Sequence, residues 1–258
     1  MHCFQGSFGQ PVAEHALCLI LALLRKIPQR VRAKSWASPA GLSLYGRRVT
    51  IVGAGGITLS LLSQIAPFVP EVTVLRRKAE PLDDEVIPEQ LKGHIRVDSF
   101  TRLHDILPQT EVLVIAAALT PETTGMIGEK ELCLLPAHAI LVNVARGEHV
   151  QTDALVAALR NGTLAGAGVD VTVPEPLPEG HPLWDLSVNP AKIDKIDAEL
   201  RPNGLHGDTR ANLIVTPHTA DTPAMVAPLL VNRFATNAEA LARDDGRFEG
   251  VVDTEHAY

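Results

Sequence analysis

Short apolar runs recur along the chain and alternate with segments in which apolar residues fall at helical spacing. Several runs are apolar at consecutive positions rather than at every second one, as in strands that are buried on both faces of a parallel sheet. Strands that alternate with helices predict a doubly wound α/β fold, with a parallel sheet covered by helices on both faces. The predicted strands are residues 48–53, 71–77, 111–119, 139–145, 165–171 and 213–218.

The segments before and between these strands carry start and stop signals of helices. In the first of them, Pro28 is expected to kink or end the helix. In the last, Thr152 is expected as the N-cap and Gly162 as the C-terminal stop. The mixed, proline-containing stretch 79–96 predicts no regular element. The predicted helices are residues 11–35, 57–68, 128–135 and 152–162.

A polar segment interrupts this alternation at residues 187–211. It contains two prolines and two glycines, and it lies between the apolar runs HPLWDL and NLIVTPH. Because unstructured loops beyond about 12–15 residues are uncommon inside a compact domain, we interpret the segment as an insertion. Two alternatives stay open for it, a disordered segment or one with a short helix around residues 190–200.

Charge and composition narrow the classes of partner. The formal net charge of −7 argues against a nucleic acid or an anionic membrane surface, and the aromatic content of 4% argues against stacking platforms for single strands. The longest apolar run, residues 16–24, is short of the roughly 20 residues that a membrane-spanning helix needs. Cys3, Cys18 and Cys133 show no metal-ligand spacing, so no metal site is predicted. Without a secretory signal, the expected location is the cytoplasm.

The stretch TIVGAGGITLSLL, residues 50–62, has the pattern of a Rossmann dinucleotide-binding turn, because two glycines follow an apolar strand and precede a helix. Gly53 would allow the tight turn. Gly55 would let the backbone approach a pyrophosphate at the helix N-terminus, where free N–H groups favour anions. Thr58 stands where a third glycine is expected, so that the helix–strand packing could loosen and the hydroxyl could reach a phosphate. The alternative is a plain strand-to-helix turn.

The end of the second predicted strand bears on the choice of cofactor. An NAD-preferring site ends this strand with Asp or Glu, which binds the ribose 2′-hydroxyl. Here Leu75 is followed by Arg76, Arg77 and Lys78. Because the fork of an arginine suits a 2′-phosphate, NADP(H) is the preferred cofactor and NAD(H) the second choice. The alternative is a solvated basic strand end.

Longer motifs in the second half of the chain are more specific. The run LTPETTGMIGEKELCLLPAHAILVNVARGEHVQTDALVAALRNGTLAGAGVDVTVPEPLPEGHPLW, followed by NLIVTPHTA, resembles the D-isomer-specific 2-hydroxyacid dehydrogenases, which include glyoxylate/hydroxypyruvate reductases and phosphoglycerate dehydrogenases. VAEHALCLILALLR is similar to the long helix that precedes their glycine turn, and VVDTEHAY to their C-terminal tail. The resemblance covers nearly the whole chain except residues 187–211.

The resemblance implies three catalytic residues. Arg146 in NVARG matches the arginine that binds the substrate carboxylate, a task that suits an always-charged bidentate donor. His218 in TPH matches the acid/base that protonates the carbonyl oxygen as hydride arrives. Glu175 in VPEP matches the carboxylate paired with that histidine, whose negative charge favours the imidazolium and fixes the ring. The alternatives are a surface arginine, a structural histidine and a solvated glutamate.

The resemblance also implies the lining of a cofactor cleft. Asp170 in GVDV matches the acid near the nicotinamide carboxamide. Ala118 stands where the family usually has proline before Leu-Thr, so the adenine wall is expected to differ. The predicted cofactor-binding residues are Gly53, Gly55, Gly56, Ile57, Thr58, Arg76, Arg77, Ala117, Ala118, Thr120, Thr123, Val144, Ala145, Asp170, His218 and Ala220.

A division of the chain follows from the same resemblance. Residues 1–35 correspond to an interdomain helix and a remnant of the substrate domain, residues 36–220 to the Rossmann domain, and residues 221–258 to a C-terminal helix and tail. The family carries a substantial substrate-binding segment before the long helix, so this domain is expected to be truncated here. The polar insertion falls in the sequence between Glu175 and His218, whose side chains must be in contact for catalysis. It is compatible with activity only if it loops away from the cleft.

The predicted function is hydride transfer between NAD(P)(H) and a small 2-oxo or 2-hydroxy acid. The resemblance implies a homodimer formed through the helix before the glycine turn. The alternative is that the apolar side of this helix packs only within its own protomer. The alternative function is a catalytically impaired dinucleotide-binding protein with a regulatory or partner-binding role. The expected truncation favours this alternative, and the three matched catalytic residues favour the enzyme.

Overall fold

The computed structural model describes residues 8–33, 36, 39–187, 210–243, 248 and 250. The interpretation of residues 187–211 as an insertion falls almost entirely on residues 188–209, which lie outside the described residues, as does the predicted tail beyond residue 250. Both therefore stay predictions.

The described residues form a seven-stranded parallel sheet in the spatial order β3-β2-β1-β4-β5-β6-β7. β1 pairs with both β2 and β4, so that Val52 stands beside Leu75 on one side and Ile115 on the other. This topology confirms the doubly wound parallel sheet that the sequence predicts. The strands are β1 Val49–Val52, β2 Val72–Arg76, β3 Ile95–Ser99, β4 Val112–Ile115, β5 Ile140–Asn143, β6 Gly166–Val169 and β7 Leu213–Val215.

Among the described residues, helices precede the first strand, connect four of the pairs of successive strands and follow the last strand. The α-helices are α1 Gly9–Leu24, α2 Ile27–Arg30, α3 Gly56–Ile65, α4 Leu103–Ile106, α5 Glu129–Leu134, α6 Thr152–Asn161 and α7 Pro223–Arg243. Short 3-10 turns span Glu89–Leu91, Phe100–Arg102, Leu107–Gln109, Gly147–His149 and Pro182–Trp184. No helix among the described residues is long and apolar enough to cross a membrane.

The sheet is covered on both faces, which explains why its strands are apolar at consecutive positions. In β4, Val112 and Val114 pack into one core cluster, whereas Leu113 and Ile115 pack into the other, and all four are wholly buried. The first cluster contains side chains of α1 and α3, and the second contains side chains of α5 and α6. Each such buried side chain stabilises the fold by roughly 1.5–3 kcal/mol.

α1 ends at Leu24, well before the predicted end at residue 35. Lys26 has a left-handed backbone (φ 54°), and Pro28 lies in the first turn of α2. Proline has no N–H to donate to the carbonyl four residues earlier, and the Leu24 carbonyl instead accepts the Leu42 N–H at 2.7 Å. α1 thus ends before Pro28, which begins the next short helix, and the prediction of one helix that extends to residue 35 is wrong.

β3 is an element that the sequence pattern misses. It overlaps the end of the stretch 79–96, for which no regular element is predicted, and it lies at the edge of the sheet. None of its residues is fully buried. Because an edge strand has one neighbour and is partly exposed to solvent, the sequence IRVDS lacks the apolar run that marks the central strands.

The C-terminal end of α6 agrees with the prediction, whereas its N-terminal end does not. Gly162 ends the helix in a left-handed conformation with φ 68°, as expected for a C-terminal stop. The N-cap is Gln151 rather than Thr152, and Gln151 makes no capping hydrogen bond with its side chain. Thr152 is the first residue of α6 rather than its cap, and its hydroxyl donates to the Val173 carbonyl at 3.4 Å.

The carboxyl ends of the parallel strands lie along one edge of the sheet. The strand order reverses between β1 and β4, and such a switch point is where open α/β sheets bind ligands. α1 shares the first core cluster with the sheet. The division of the chain at residues 35 and 220 stays a prediction.

Candidate active site

The turn after β1 requires a glycine at position 53. Gly53 has a positive φ of 112°, and its N–H donates to the Leu75 carbonyl at 2.7 Å. A Cβ added at this position would overlap the backbone of Ala116 at the end of β4. Gly53 therefore lets the chain turn tightly between the ends of two neighbouring strands, as the sequence predicts.

Gly55 leaves the start of α3 open. It is exposed and serves as the N-cap of this ten-residue helix, without a side-chain capping bond. A Cβ added at Gly55 would meet no protein atom and would extend into open space. The N–H groups of the first helical turn, beginning at Gly56, thus face a space that an anionic group can enter, which fits the pyrophosphate of a dinucleotide.

Thr58 closes the turn from the inside. Its side chain is wholly buried, and its Oγ1 donates to the Gly53 carbonyl at 2.9 Å. The expectation that this hydroxyl could reach a phosphate is wrong, because burial and the bond to Gly53 keep it inside the turn. The neighbouring Ile57 is half-buried and packs against the first core cluster.

An open cleft of about 640 Å³ lies over the glycine turn and the ends of β2 and β4. Its lining brings together eight residues from the predicted cofactor set, namely Gly53, Gly55, Arg76, Arg77, Ala117, Ala118, Thr120 and Thr123. It also contains residues that sequence reasoning did not assign, namely Ala54, Glu80, Ser99, Phe100, Thr101, Ala116 and Glu122. Three of these, Ser99, Phe100 and Thr101, come from the end of the unpredicted strand β3 and the turn after it.

The basic end of β2 forms one side of this cleft. Arg76, Arg77 and Lys78 line it together with Glu80, whose carbonyl accepts a hydrogen bond from Arg76 Nη1 at 3.3 Å. The Thr120 side chain, the backbone of Glu122 itself and the charge of Arg77 hold the pKa of Glu122 below its ordinary value. The cleft therefore has cations on the side where an NAD-preferring site carries an acid.

Thr123 supports the wall of the cleft from within. It is buried, and its Oγ1 donates to the Ala118 carbonyl at 2.8 Å and accepts the Thr120 N–H at 2.8 Å. Ala118, which replaces the proline usual in the family, is exposed at the wall. A wall residue without the fixed φ of proline is thus held in place by the Thr123 hydroxyl.

Arg146 follows the carboxyl end of β5 and is exposed, although Ala145 and Gly147 on either side of it are buried. Its Nη1 donates to the Ala145 carbonyl at 2.6 Å. The Arg146 carbonyl accepts from Asn143 Nδ2 at 2.9 Å and contacts His149 Nδ1 at 2.9 Å. Asn143 Oδ1 in turn accepts the Ala145 N–H at 3.1 Å. Asn143 and His149 hold this turn, and sequence reasoning assigned a role to neither.

Gly147 fits the Arg146 turn against the loop that carries Glu175. It is buried, and a Cβ at this position would overlap the backbone of Thr172. The glycine of NVARG is therefore a contact residue between two loops rather than a turn residue, since its conformation needs no positive φ.

His218 and Glu175 form a direct contact. His218 Nδ1 lies 2.5 Å from Glu175 Oε1, and the two side chains are about half-exposed. The described ends of the insertion also meet, since Ser187 and Arg210 form an antiparallel bridge. The two described ends of this segment therefore lie side by side, and His218 and Glu175 are in contact although the segment falls between them in the sequence.

Asp170 anchors the turn that bears His218. It is 2% exposed, and its carboxylate accepts the N–H groups of Thr219 at 2.9 Å and Ala220 at 3.1 Å. The Thr216 hydroxyl donates to the same carboxylate at 2.5 Å, and the Asp170 carbonyl accepts the His218 N–H at 2.8 Å. Asp170, whose carboxylate is predicted to lie near the nicotinamide, thus also fixes the backbone conformation around His218.

The side chain of His15, on α1, completes this network. Its Nε2 lies 3.0 Å from Thr216 Oγ1 and 3.5 Å from Asp170 Oδ1. The remaining predicted cofactor residues, Val144, Ala145 and Ala220, are only 5–7% exposed. Their expected contacts with the cofactor stay predictions.

The site assembles at the carboxyl edge of three neighbouring strands. Arg146 follows β5, Asp170 and Glu175 follow β6, and His218 follows β7. A guanidinium and an imidazole–carboxylate pair at one sheet edge can bind a carboxylate and transfer a proton. Among the described residues, no group of three or more His, Cys, Asp or Glu side chains is placed to hold a metal ion.

Residues 17–220 match the family described as D-isomer specific 2-hydroxyacid dehydrogenase, NAD binding domain. A glyoxylate reductase of Thermofilum pendens is 35% identical over 189 residues, which are 69% of this chain and 53% of that protein. The glyoxylate reductase/hydroxypyruvate reductase of Homo sapiens is 32% identical over 182 residues, 67% of this chain and 53% of that protein. The chain thus spans about half the length of these two relatives.

Solved structures give the same result. A D-isomer specific 2-hydroxyacid dehydrogenase from Xanthobacter autotrophicus Py2, in complex with NADPH and MES, superposes with a TM-score of 0.71 and 28% identity. The superposition covers 97% of this chain and 90% of that one. The sheet order, the glycine turn and the match over most of the chain agree, and the chain belongs to the D-isomer specific 2-hydroxyacid dehydrogenase family.

Proposed function

We propose that the protein reduces small 2-oxo acids to 2-hydroxy acids, and catalyses the reverse reaction, with a nicotinamide dinucleotide as cofactor. The observation that carries the proposal is the contact between His218 Nδ1 and Glu175 Oε1, at the sheet edge that also bears Arg146. The names of the curated relatives, glyoxylate and hydroxypyruvate reductases, support the same class of substrate.

The cofactor fits the cleft over the glycine turn. The open helix start at Gly55 and Gly56 would hold the pyrophosphate, and the tight turn at Gly53 permits the close approach. Arg76 and Arg77 line the part of the cleft where a 2′-phosphate would lie, which favours NADP(H) over NAD(H). The NADPH complex of the Xanthobacter relative supports this preference.

The three predicted catalytic side chains have distinct tasks in this reaction. When bound, the reduced nicotinamide supplies the hydride to C2 of the acid. Arg146 binds the carboxylate of the acid through its guanidinium and orients the carbonyl group. His218 donates a proton to the carbonyl oxygen, so that a 2-oxo acid, a hydride and a proton give a 2-hydroxy acid. Glu175 orients the imidazole through its contact with Nδ1.

The oxidation of NADPH in the presence of glyoxylate or hydroxypyruvate tests this function, with pyruvate as a third acid. We expect turnover with at least one of them and about a hundredfold lower kcat in His218→Gln. A protein that binds NADPH but oxidises it with none of these acids would contradict the enzyme proposal and favour the impaired dinucleotide-binding protein.

The assembly and location are proposed from the family resemblance. We propose a homodimer; the apolar side of α1 packs within the protomer, so the dimer contact would use the exposed side of α1, which carries Glu14 and Cys18. Sedimentation at micromolar concentration distinguishes monomer from dimer. We propose the cytoplasm as the location, which the free thiols Cys18 and Cys133 support.

A further inference from the structure

A completely buried histidine lies between two backbone carbonyls of the site. His149 is 0% exposed. Its Nδ1 is 2.9 Å from the Arg146 carbonyl oxygen, and its Nε2 is 3.3 Å from the Ala118 carbonyl oxygen. The ring therefore spans the space between two segments that are 28 positions apart in the chain.

The two carbonyls belong to the two halves of the proposed site. Arg146 would hold the carboxylate of the acid, and Ala118 lines the cofactor cleft. Each carbonyl has its own local donor as well, Asn143 Nδ2 at 2.9 Å for Arg146 and Thr123 Oγ1 at 2.8 Å for Ala118. These local donors stabilise each turn by itself, whereas the imidazole contacts both turns.

Burial makes this link stiff. No water competes for the ring nitrogens, and hydrogen bonds in such a low-dielectric environment are stronger than at the surface. The backbone beside the ring is fixed too, since the His149 carbonyl accepts the Ile127 N–H at 3.0 Å and the Glu148 carbonyl accepts the Gly125 N–H at 2.7 Å. The imidazole has one N–H donor in its neutral form and two in its protonated form, whereas a leucine of similar volume could donate to neither carbonyl.

We infer that His149 is a positioning residue, which sets the Arg146 turn at a fixed distance from the Ala118 wall of the cofactor cleft. Its role in catalysis rests on the proposed function, because this distance fixes the acid relative to the nicotinamide. Displacements of about 1 Å in such sites lower rates by about a hundredfold, so a rigid spacer there matters for turnover.

Three substitutions at position 149 separate the two contacts. Asn can place its amide nitrogen near the position of Nδ1 and keep the Arg146 contact, whereas Gln can place it near Nε2 and keep the Ala118 contact. Leu keeps neither contact. The control is His104→Leu, which removes a half-exposed histidine that pairs with Glu131 away from the cleft.

Steady-state kinetics give the first readout. We expect His149→Leu and His149→Gln to raise the KM for the acid about tenfold, with the Kd for NADPH changed less than about threefold. His149→Asn loses the Ala118 contact and breaks the same link, so it should raise the KM as well, whereas the control should not alter it. A KM in His149→Leu within about twofold of wild type would overturn the inference, as would a loss of stability with kcat, KM and NADPH affinity all impaired alike.

Hydrogen exchange of the ligand-free protein gives a readout that needs no activity. His149→Leu should speed exchange in residues 117–125 and in residues 144–150, His149→Asn in the first segment only, and His149→Gln in the second only. Unchanged exchange in both segments of His149→Leu would refute the link. Absence of turnover in wild type would instead count against the proposed function, and the exchange pattern would still decide whether His149 joins the two turns.

Discussion

At the scale of single residues, His218 combines a left-handed backbone, with φ 52°, and an imidazole that contacts Glu175. A non-glycine residue in this conformation costs on the order of 1–3 kcal/mol and persists where the surroundings fix it. The hydrogen bonds that the N–H groups of Thr219 and Ala220 donate to the Asp170 carboxylate offset this cost. The ring therefore reaches Glu175 because Asp170 holds its backbone.

Glu175→Gln tests whether the two side chains act as one unit. The substitution keeps the shape of the side chain and removes the charge that stabilises an imidazolium, so we expect kcat to fall about tenfold or more. In the double variant with His218→Gln, kcat should fall no further than in His218→Gln alone, because residues that act together are not additive. Multiplicative losses in steady-state assays would show that Glu175 acts independently.

Arg76→Asp tests the preference for NADP(H). Loss of a charge-assisted contact and gain of an acid at the end of β2 should lower the ratio of NADPH to NADH affinity by about tenfold or more. Titration of both cofactors by nucleotide fluorescence measures this ratio. Arg160→Asp, an exposed change of equal charge in the last turn of α6, should leave the ratio as in wild type. Equal ratios in Arg76→Asp and wild type would defeat the argument for NADP(H).

At the scale of elements, the link between β1 and α3 places two glycines under different constraints. Gly53 has no room for a Cβ and has a positive φ, whereas a Cβ at Gly55 would extend into open space. Substitution by alanine should therefore lower the stability of the fold at Gly53 and weaken the binding of the cofactor at Gly55.

Thermal unfolding and NADPH titration of the two variants test this contrast. Gly53→Ala should lower the free energy of unfolding by about 1–3 kcal/mol, because the chain must shift away from Ala116. Gly55→Ala should lower the free energy of unfolding by about 1 kcal/mol or less. It should raise the Kd for NADPH about tenfold, because the added methyl group would occupy the place of the pyrophosphate. A Gly55→Ala protein with unchanged affinity would indicate that the cofactor binds elsewhere.

The opposite edge of the sheet depends on Glu111, at the start of β4. Burial of this carboxyl raises its pKa, but the Arg48 N–H, the Arg47 guanidinium and His138 together outweigh burial and hold the pKa below its ordinary value. The Arg47 and His138 contacts are 2.6 Å and 3.0 Å long. A carboxyl with a lowered pKa in the folded state stabilises the fold above its unfolded pKa of about 4.3, and this contribution is lost as pH falls through the folded pKa.

Glu111→Gln should therefore lower the free energy of unfolding at pH 7 by about 2 kcal/mol, and the difference from wild type should shrink steadily as pH falls below about 4. Urea unfolding across this pH range measures the difference. Glu89→Gln removes the partner of Lys92 from an exposed pair and should change stability by less than about 0.5 kcal/mol at any pH. A Glu111→Gln difference that is independent of pH would contradict the assigned cause.

At the scale of the whole molecule, the sequence pattern predicts those parts of the fold that are buried on both sides. All six predicted strands are present; the central ones are apolar because they are covered on both faces, whereas the edge strand β7 is apolar although it is only half-buried. β3 is missed because an edge strand need not be apolar. α1 is predicted too long, since apolar spacing continues beyond Leu24 while the chain turns at Lys26.

The residues of the site also fall into a group that the sequence predicts and a group that it does not. Motifs locate the groups that would touch ligand, such as Arg146, His218 and Gly55, because their chemistry is specific. Groups that act through another residue carry no such signal: Asn143 and His149 lie within a matched motif, yet their contacts to the Arg146 carbonyl depend on how the turn folds back. Gly147 and Thr58 likewise owe their roles to neighbours that are distant in sequence or buried in the turn.

The central claim, that this sheet edge is a site of hydride transfer to a 2-oxo acid, is tested most directly by following a deuterium label. NADPH with deuterium at both C4 positions of the nicotinamide is incubated with the protein and glyoxylate, hydroxypyruvate or pyruvate, and mass spectrometry of the 2-hydroxy acid detects the label at C2. We predict a deuterated 2-hydroxy acid from at least one of these acids with wild type, and about a hundredfold less with His218→Gln. A 2-hydroxy acid without deuterium, or no product from any of the three acids while NADPH stays bound, would contradict the claim.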